Sequence, residues 1–188
     1  MMEQQTAQLA QNLLSLLTRN DFASAMATEG TQMVTDYLSD PAIRAYVEGL
    51  DVSSKVRLWG TPKQGMQILL HGADRPKRGA PHDHGESWAL YYQVEGFTEM
   101  TSYHRLTGEQ GQPGPAELDA YDVQNVQPGN AMFFGPHMIH STRHPEPPAR
   151  WIRVTGDDLD YATRLRFSIE RNEADLDKIG RASCRERV

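Results

Sequence analysis

An all-β barrel or jelly roll preceded by a helical segment is the fold this sequence predicts, and two patterns predict it. Up to Leu50 the apolar residues recur at three- and four-residue spacing, the period of an amphipathic helix. Beyond Leu50 the chain breaks into short β-rich runs punctuated by glycine and proline.

In the first segment Leu9, Leu13, Leu16 and Leu17 form one apolar stripe, and Met33, Val34, Tyr37 and Leu38 form another. Asp21 and the Ser39-Asp40-Pro41 step are the expected helix starts; the latter places proline in a first turn, where its missing N–H costs nothing. Two to four short helices are expected there. The β-rich runs are Lys55 to Trp59, Gly65 to His71, Ser87 to Val94, Thr98 to Arg105, Tyr121 to Val126, Ala131 to Phe134, Met138 to Thr142 and Trp151 to Thr155. Eight such runs at close spacing are the pattern of a barrel or jelly roll. Thr107 to Leu118, with Gly108, Gly111, Gly114 and two prolines, reads as a surface loop between its halves. The expected organisation is a helical segment over residues 1–50 packed on a barrel over 51–170, with a tail over 171–188.

The 188 residues suffice for one domain, burying roughly 70% of the surface that the unfolded chain would expose. Hydrophobic residues make up 38% and no apolar run approaches the ~20 residues of a membrane-spanning helix, so no membrane partner is expected. The formal charge of −6 lacks the clustered Lys/Arg excess that neutralises phosphates; a small molecule is a better partner than nucleic acid. No basic segment leads into an apolar core at the N-terminus, so no secretory signal is read and a cytoplasmic location is expected. The single cysteine, Cys184, has no partner for an internal disulfide. It lies in the last ten residues, Ile179 to Val188, which read as a translated sequencing adapter and are set aside from fold reasoning. They carry Arg181, Arg185, Arg187 and Glu186, so without them 16 basic and 24 acidic residues remain, a net charge of −8.

The histidines carry the chemistry. His82 and His84 flank Asp83, and on a strand, where side chains alternate, such a pair points both imidazoles to one side. The pair opens a β run just after Gly79-Ala80-Pro81. A second element, Pro128-Gly129, leads through Asn130 to Phe134 into Gly135-Pro136-His137-Met138-Ile139-His140. Two hairpins of a closed barrel would thus aim three imidazoles at one centre.

These two stretches resemble the paired motifs of the cupins, the first over Pro81-His82-Asp83-His84-Gly85 through Gly96, the second over Pro128-Gly129 through Pro136 to His140. The phrase His82-Asp83-His84-Gly85-Glu86-Ser87-Trp88 is most similar to the cysteine-dioxygenase-like branch, in which three histidines bind iron. The resemblance spans roughly Lys55 to Thr155 and implies a double-stranded β-helix with His82, His84 and His140 as metal ligands. The general cupin pattern adds a glutamate four or five residues after the second histidine; here Trp88 and Ala89 stand there. Glu86 would reach the metal only on a regular strand, and Gly85 invites a bulge that would re-aim it toward solvent or an outer role. Three neutral imidazoles with open positions suit Fe(II), and the same ligands suit zinc, nickel or manganese.

On the substrate side, the resemblance to thiol dioxygenases assigns a carboxylate-binding arginine to an early strand, where Arg57 stands. The planar fork of arginine pairs with a carboxylate through two hydrogen bonds. The late Ser-His-Tyr relay of those enzymes is absent, Arg153 and Thr155 standing where histidine and tyrosine would be. Ala89 falls where some relatives carry a cysteine crosslinked to tyrosine. Tyr91, Tyr92 and Gln93 alternate between the two sides of the next strand; which tyrosine faces inward depends on the bulge, and Tyr92 is carried as the site candidate. His137 is expected at the mouth of the site or behind its ligands, and Trp88, Phe133 and Phe134 in the core.

The reading is a metal-dependent protein: an Fe(II) dioxygenase using O2 on a small anionic or thiol-containing substrate, with Arg57 or Arg153 holding the anion. Two alternatives stay open, a metal- and ligand-binding protein without turnover and a non-redox isomerase, lyase or hydrolase. A homodimer is expected from the resemblance to cupins alone.

Overall fold

The computed structural model describes residues 2–177. The helical segment comprises α1 (Met2–Leu16), α2 (Phe22–Ala25), a π-helical turn (Met26–Gly30), α3 (Thr31–Ser39) and α4 (Pro41–Gly49). The cap expected at α4 is formed: the Asp40 carboxylate accepts from the N–H groups of Ala42 at 2.8 Å and Ile43 at 3.4 Å, and Pro41 fills the first turn. Asp21 precedes α2 but caps no N–H; its carboxylate accepts instead from Arg19 Nε and Nη2 at 2.9 and 2.8 Å.

The strands are, in chain order, β1 (Val56–Thr61), β2 (Gln64–Ala73), β3 (Lys77–Arg78), β4 (Ala89–Glu95), β5 (Thr98–Arg105), β6 (Gly114–Pro115), β7 (Leu118–Val126), β8 (Ala131–Phe134), β9 (Ile139–His144), β10 (Ala149–Thr155), β11 (Arg164–Ser168) and β12 (Glu173–Asp177). They form one sheet in the order β1-β2-β10-β4-β8, a second in the order β3-β9-β5-β7, and a small third in the order β11-β12-β6, all antiparallel. From β2 to β5, and again from β7 to β10, each successive strand crosses to the opposite large sheet. That alternation winds the chain into a double-stranded β-helix.

Register divides the first sheet into two faces. Leu70, Ile152 and Tyr92 lie opposite one another on β2, β10 and β4, and so do Leu69, Arg153 and Tyr91. The first row faces the helices, where Leu13, Met26, Val34 and Val47 pack with Ile68, Leu70, Leu90, Ile152 and Val154. The other face lines the barrel interior with Ala89, Tyr91, Met100, Val126, Phe134 and Trp151. Arg150 ties the end of α4 to the barrel, its Nη1 donating to Leu50 O at 2.8 Å while its Nε donates to Glu95 Oε2 at 3.1 Å. The third sheet covers the outer side of the second through Ile139, Leu165, Phe167 and Ala174.

Each of the eight expected runs is a strand, and β3, β6, β11 and β12 are additional. Residues 173–177, placed in the tail on sequence grounds, form β12 against β11. Cys184 and the ten residues set aside lie outside the described residues. No helix among the described residues is long and apolar enough to cross a membrane.

Candidate metal centre

Backbone hydrogen bonds join the two motifs at their histidines. His82 N–H donates to His140 O at 2.9 Å and His140 N–H donates to His82 O at 3.0 Å. A buried carboxylate holds the first motif in place: Asp83 Oδ1 accepts from the N–H of Gly85 at 3.1 Å and from that of Leu165, on β11, at 2.8 Å. Gly85 turns with φ +59°, and a Cβ there would overlap the carbonyl oxygen of Thr163, so glycine is required. The histidine pair therefore sits on an extended segment ending in a turn at Gly85, the residue at which a break in the strand was expected.

Among the described residues His82, His84 and His140 form a group able to hold a metal ion, with their ligand atoms all within 4.8 Å of one another. His84 and His140 are fully buried and His82 is partly so. His82 Nδ1 lies 3.0 Å from Ala80 O, which fixes the Nδ1–H tautomer and leaves Nε2 as the lone-pair donor. His84 Nδ1 and both ring nitrogens of His140 are buried without a hydrogen-bond partner. Buried polar atoms in that condition are costly, and an ion bound by His140 would satisfy one of its two nitrogens. Phe134 stacks on His140 with centroids 3.9 Å apart.

Burial pushes His82 down to about 4, with Arg164 and Arg153 adding to the effect against the Ala80 bond. His84 and His140 lie well below the ordinary histidine value, again through burial first, then through neighbouring imidazoles and Arg153. All three are thus neutral near pH 7, the form that binds metal. The donor set fits a divalent transition metal.

Of the other candidates, Arg153 comes to the interior face, directly opposite Tyr91, and its Nε is buried with no partner among the described residues. Arg57 shares that row through Leu69, but its fork is engaged, Nε donating to Gln67 Oε1 at 2.7 Å and Nη2 to Asp158 Oδ2 at 3.1 Å. Tyr92 is placed elsewhere: its side faces the helical cap and its hydroxyl accepts from Thr35 Oγ1 at 3.2 Å. Tyr91 is the inward residue, with its hydroxyl 3.1 Å from His84 Nε2. The reason is the turn at Gly85 and Glu86, which resets the alternation between His84 and β4. That turn sends Glu86 to the surface, where it pairs with His137 Nε2 at 2.9 Å, the outer role expected of both. Trp88 packs with Phe133 under the helical cap and Phe134 lies inside the barrel. Sequence reasoning gave Asp83 no role, and it named Tyr91 and Tyr92 without a phase to choose between them. His71 and His144 each stack on Trp151, with centroids 5.5 and 4.2 Å away.

Fold and site together define a double-stranded β-helix protein carrying a three-histidine group. No family model matches the sequence, and no curated protein matches it. Solved structures similar to this chain include KdgF from Halomonas sp., 20% identical with a TM-score of 0.42 over 58% of this chain and 84% of that one. A cupin superfamily protein from Desulfitobacterium hafniense DCB-2 is 13% identical with a TM-score of 0.40 over 58% and 83%. BH2720 from Bacillus halodurans is 14% identical with a TM-score of 0.48 over 62% and 78%.

Proposed function

We propose that the protein is a mononuclear Fe(II) dioxygenase of the cysteine-dioxygenase-like cupin type, acting with O2 on a small anionic or thiol-containing molecule. The observation that carries this reading is the neutral, carboxylate-free group of His82, His84 and His140 inside the barrel. Iron held by three imidazoles would supply redox chemistry and open positions for substrate and oxygen. The chain's own residues do the rest. Arg153, on the face that Tyr91 shares, offers a guanidinium Nε free to donate to an anionic substrate. Phe134, Met100 and Val126 keep the interior apolar, which strengthens such a bond by excluding water. With Arg153 and Thr155 in place of a relay, substrates other than cysteine itself are expected.

The test is oxygen uptake by the full chain loaded anaerobically with Fe(II), against a panel of small thiols and carboxylates, with His84→Ala as control. Uptake that needs both His84 and one substrate is the expected result. Stoichiometric iron without uptake on any substrate would overturn the proposal, and turnover with zinc under argon would replace it with a non-redox reaction.

A further inference from the structure

We infer that Tyr91 supplies a fourth ligand, its phenolate oxygen, to the metal held by His82, His84 and His140. The inference rests on the reading of the histidine group as a metal centre and adds a residue to it. Three features of the structure carry it.

The first is spacing. Donor atoms bound side by side to one ion through bonds of about 2.0–2.2 Å lie roughly 3 Å apart. Tyr91 Oη and His84 Nε2 are 3.1 Å apart. The second is direction. The Tyr91 ring, only 4% exposed, stands against His84 with centroids 6.1 Å apart and against His140 with centroids 5.4 Å apart, and its hydroxyl points to His84 Nε2. Among the described residues that hydroxyl meets no carbonyl and no carboxylate; its hydrogen bond is to His84. Buried tyrosine hydroxyls ordinarily find a partner in the fold, and this one finds a metal-ligating imidazole.

The third is the support. Tyr91 lies within β4, paired on one side with Arg153 of β10 and on the other with Met132 of β8. A donor on a doubly paired strand is held by the sheet itself. Ala89, two residues earlier on the same face, carries no donor, and Glu86 has turned to solvent. On binding, a metal–oxygen bond forms and the phenolic proton leaves to solvent; no electron is transferred.

The full chain is loaded anaerobically with Fe(II), bound iron is counted, and the bound iron is oxidised by one electron with ferricyanide. The expected result is a visible phenolate-to-Fe(III) charge-transfer band with resonance-enhanced phenolate vibrations, lost in Tyr91→Phe and kept in Tyr92→Phe. Uniform labelling with 3-fluorotyrosine, which leaves the sequence intact, should shift that band. Stoichiometric iron with no such band in the unsubstituted protein, or a band that survives Tyr91→Phe, overturns the inference and leaves the metal centre standing. Failure of the unsubstituted protein to retain iron overturns both.

Discussion

Replacing Asp83 by alanine should loosen the metal site and the fold together. The carboxylate is 1% exposed and accepts two backbone N–H bonds, from Gly85 at 3.1 Å and Leu165 at 2.8 Å. Hydrogen bonds to a charged acceptor contribute about 1.5–3 kcal/mol each, and a donor left buried without one loses its solvation as well. Two of them give an expected loss of about 3–6 kcal/mol, a large part of the stability of a domain. The Asp83→Asn variant keeps one acceptor oxygen without the charge, so its loss should fall between. The same bonds tie the His82–His84 segment to β11, and removing a support of that kind typically weakens metal binding about 10–100-fold. Urea denaturation of the metal-free protein measures the first quantity, and competition against a chromophoric chelator measures the second. An alanine variant with an unchanged midpoint and unchanged metal affinity would refute the argument that this carboxylate positions the ligands.

Acid should destabilise the metal-free protein between the unfolded and folded values of its buried histidines. Burial holds His144 at about 4 against an ordinary 6.5, so the unfolded chain takes up its proton first as pH falls. The stability is complete above about 6.5 and drains toward 4; for His144 alone the gap is worth about 3 kcal/mol. Denaturation midpoints that stay level from pH 7.5 to 4.5 would contradict this. Gly85→Ala should cost more stability than Gly129→Ala, since both need positive φ, at +59° and +88°, yet a Cβ meets the Thr163 carbonyl at Gly85 and nothing within 4 Å at Gly129. Equal melting temperatures would show that the carbonyl gives way. Leu13→Ala, at a fully buried position between helices and barrel, should cost about 2–5 kcal/mol in urea unfolding, and a loss below about 1 kcal/mol would mean the helical cap is not packed as described.

How much of this was legible depended on whether a pattern was long enough to have a phase. Thr98–Arg105 and Ala131–Phe134 read from end to end because turn residues bound them, the first with every other position buried over most of its length and the second wholly apolar. Lys77–Arg78 and Gly114–Pro115 have two residues each, too few for any period. Arg164–Ser168 does alternate, with Leu165 and Phe167 buried, but its partner Glu173–Asp177 is largely charged and reads as solvent-exposed chain. The three ligands could be named because their identity and order suffice for a resemblance. The tyrosine could not, because alternation carries only through unbroken strand, and the Gly85 turn breaks it between His84 and Ala89. Asp83 was invisible because its role is to bind backbone at Leu165, 82 residues away, and backbone leaves no mark in a sequence.

The charges near the centre separate a scaffold from a ligand site. Arg57 is paired with Asp158, Lys55 with Asp160 and Arg164 with Asp177, so each has a carboxylate beside it. Among the described residues Arg153 has no such partner; its Nε is buried, and its positive charge lowers the proton affinity of His71, His82, His84 and His140. A guanidinium held that way gains from an anion and loses little when its charge is removed. Arg153→Met should therefore leave the melting temperature of the ligand-free protein unchanged or raised. A small carboxylate that binds only the folded state raises that temperature by mass action, about 2.7 kcal/mol at a hundred times its dissociation constant. The methionine variant should lose this increment while keeping its metal. If Arg153→Met melts lower without ligand and still gains the full increment with it, the guanidinium is a structural brace and the anion is held elsewhere.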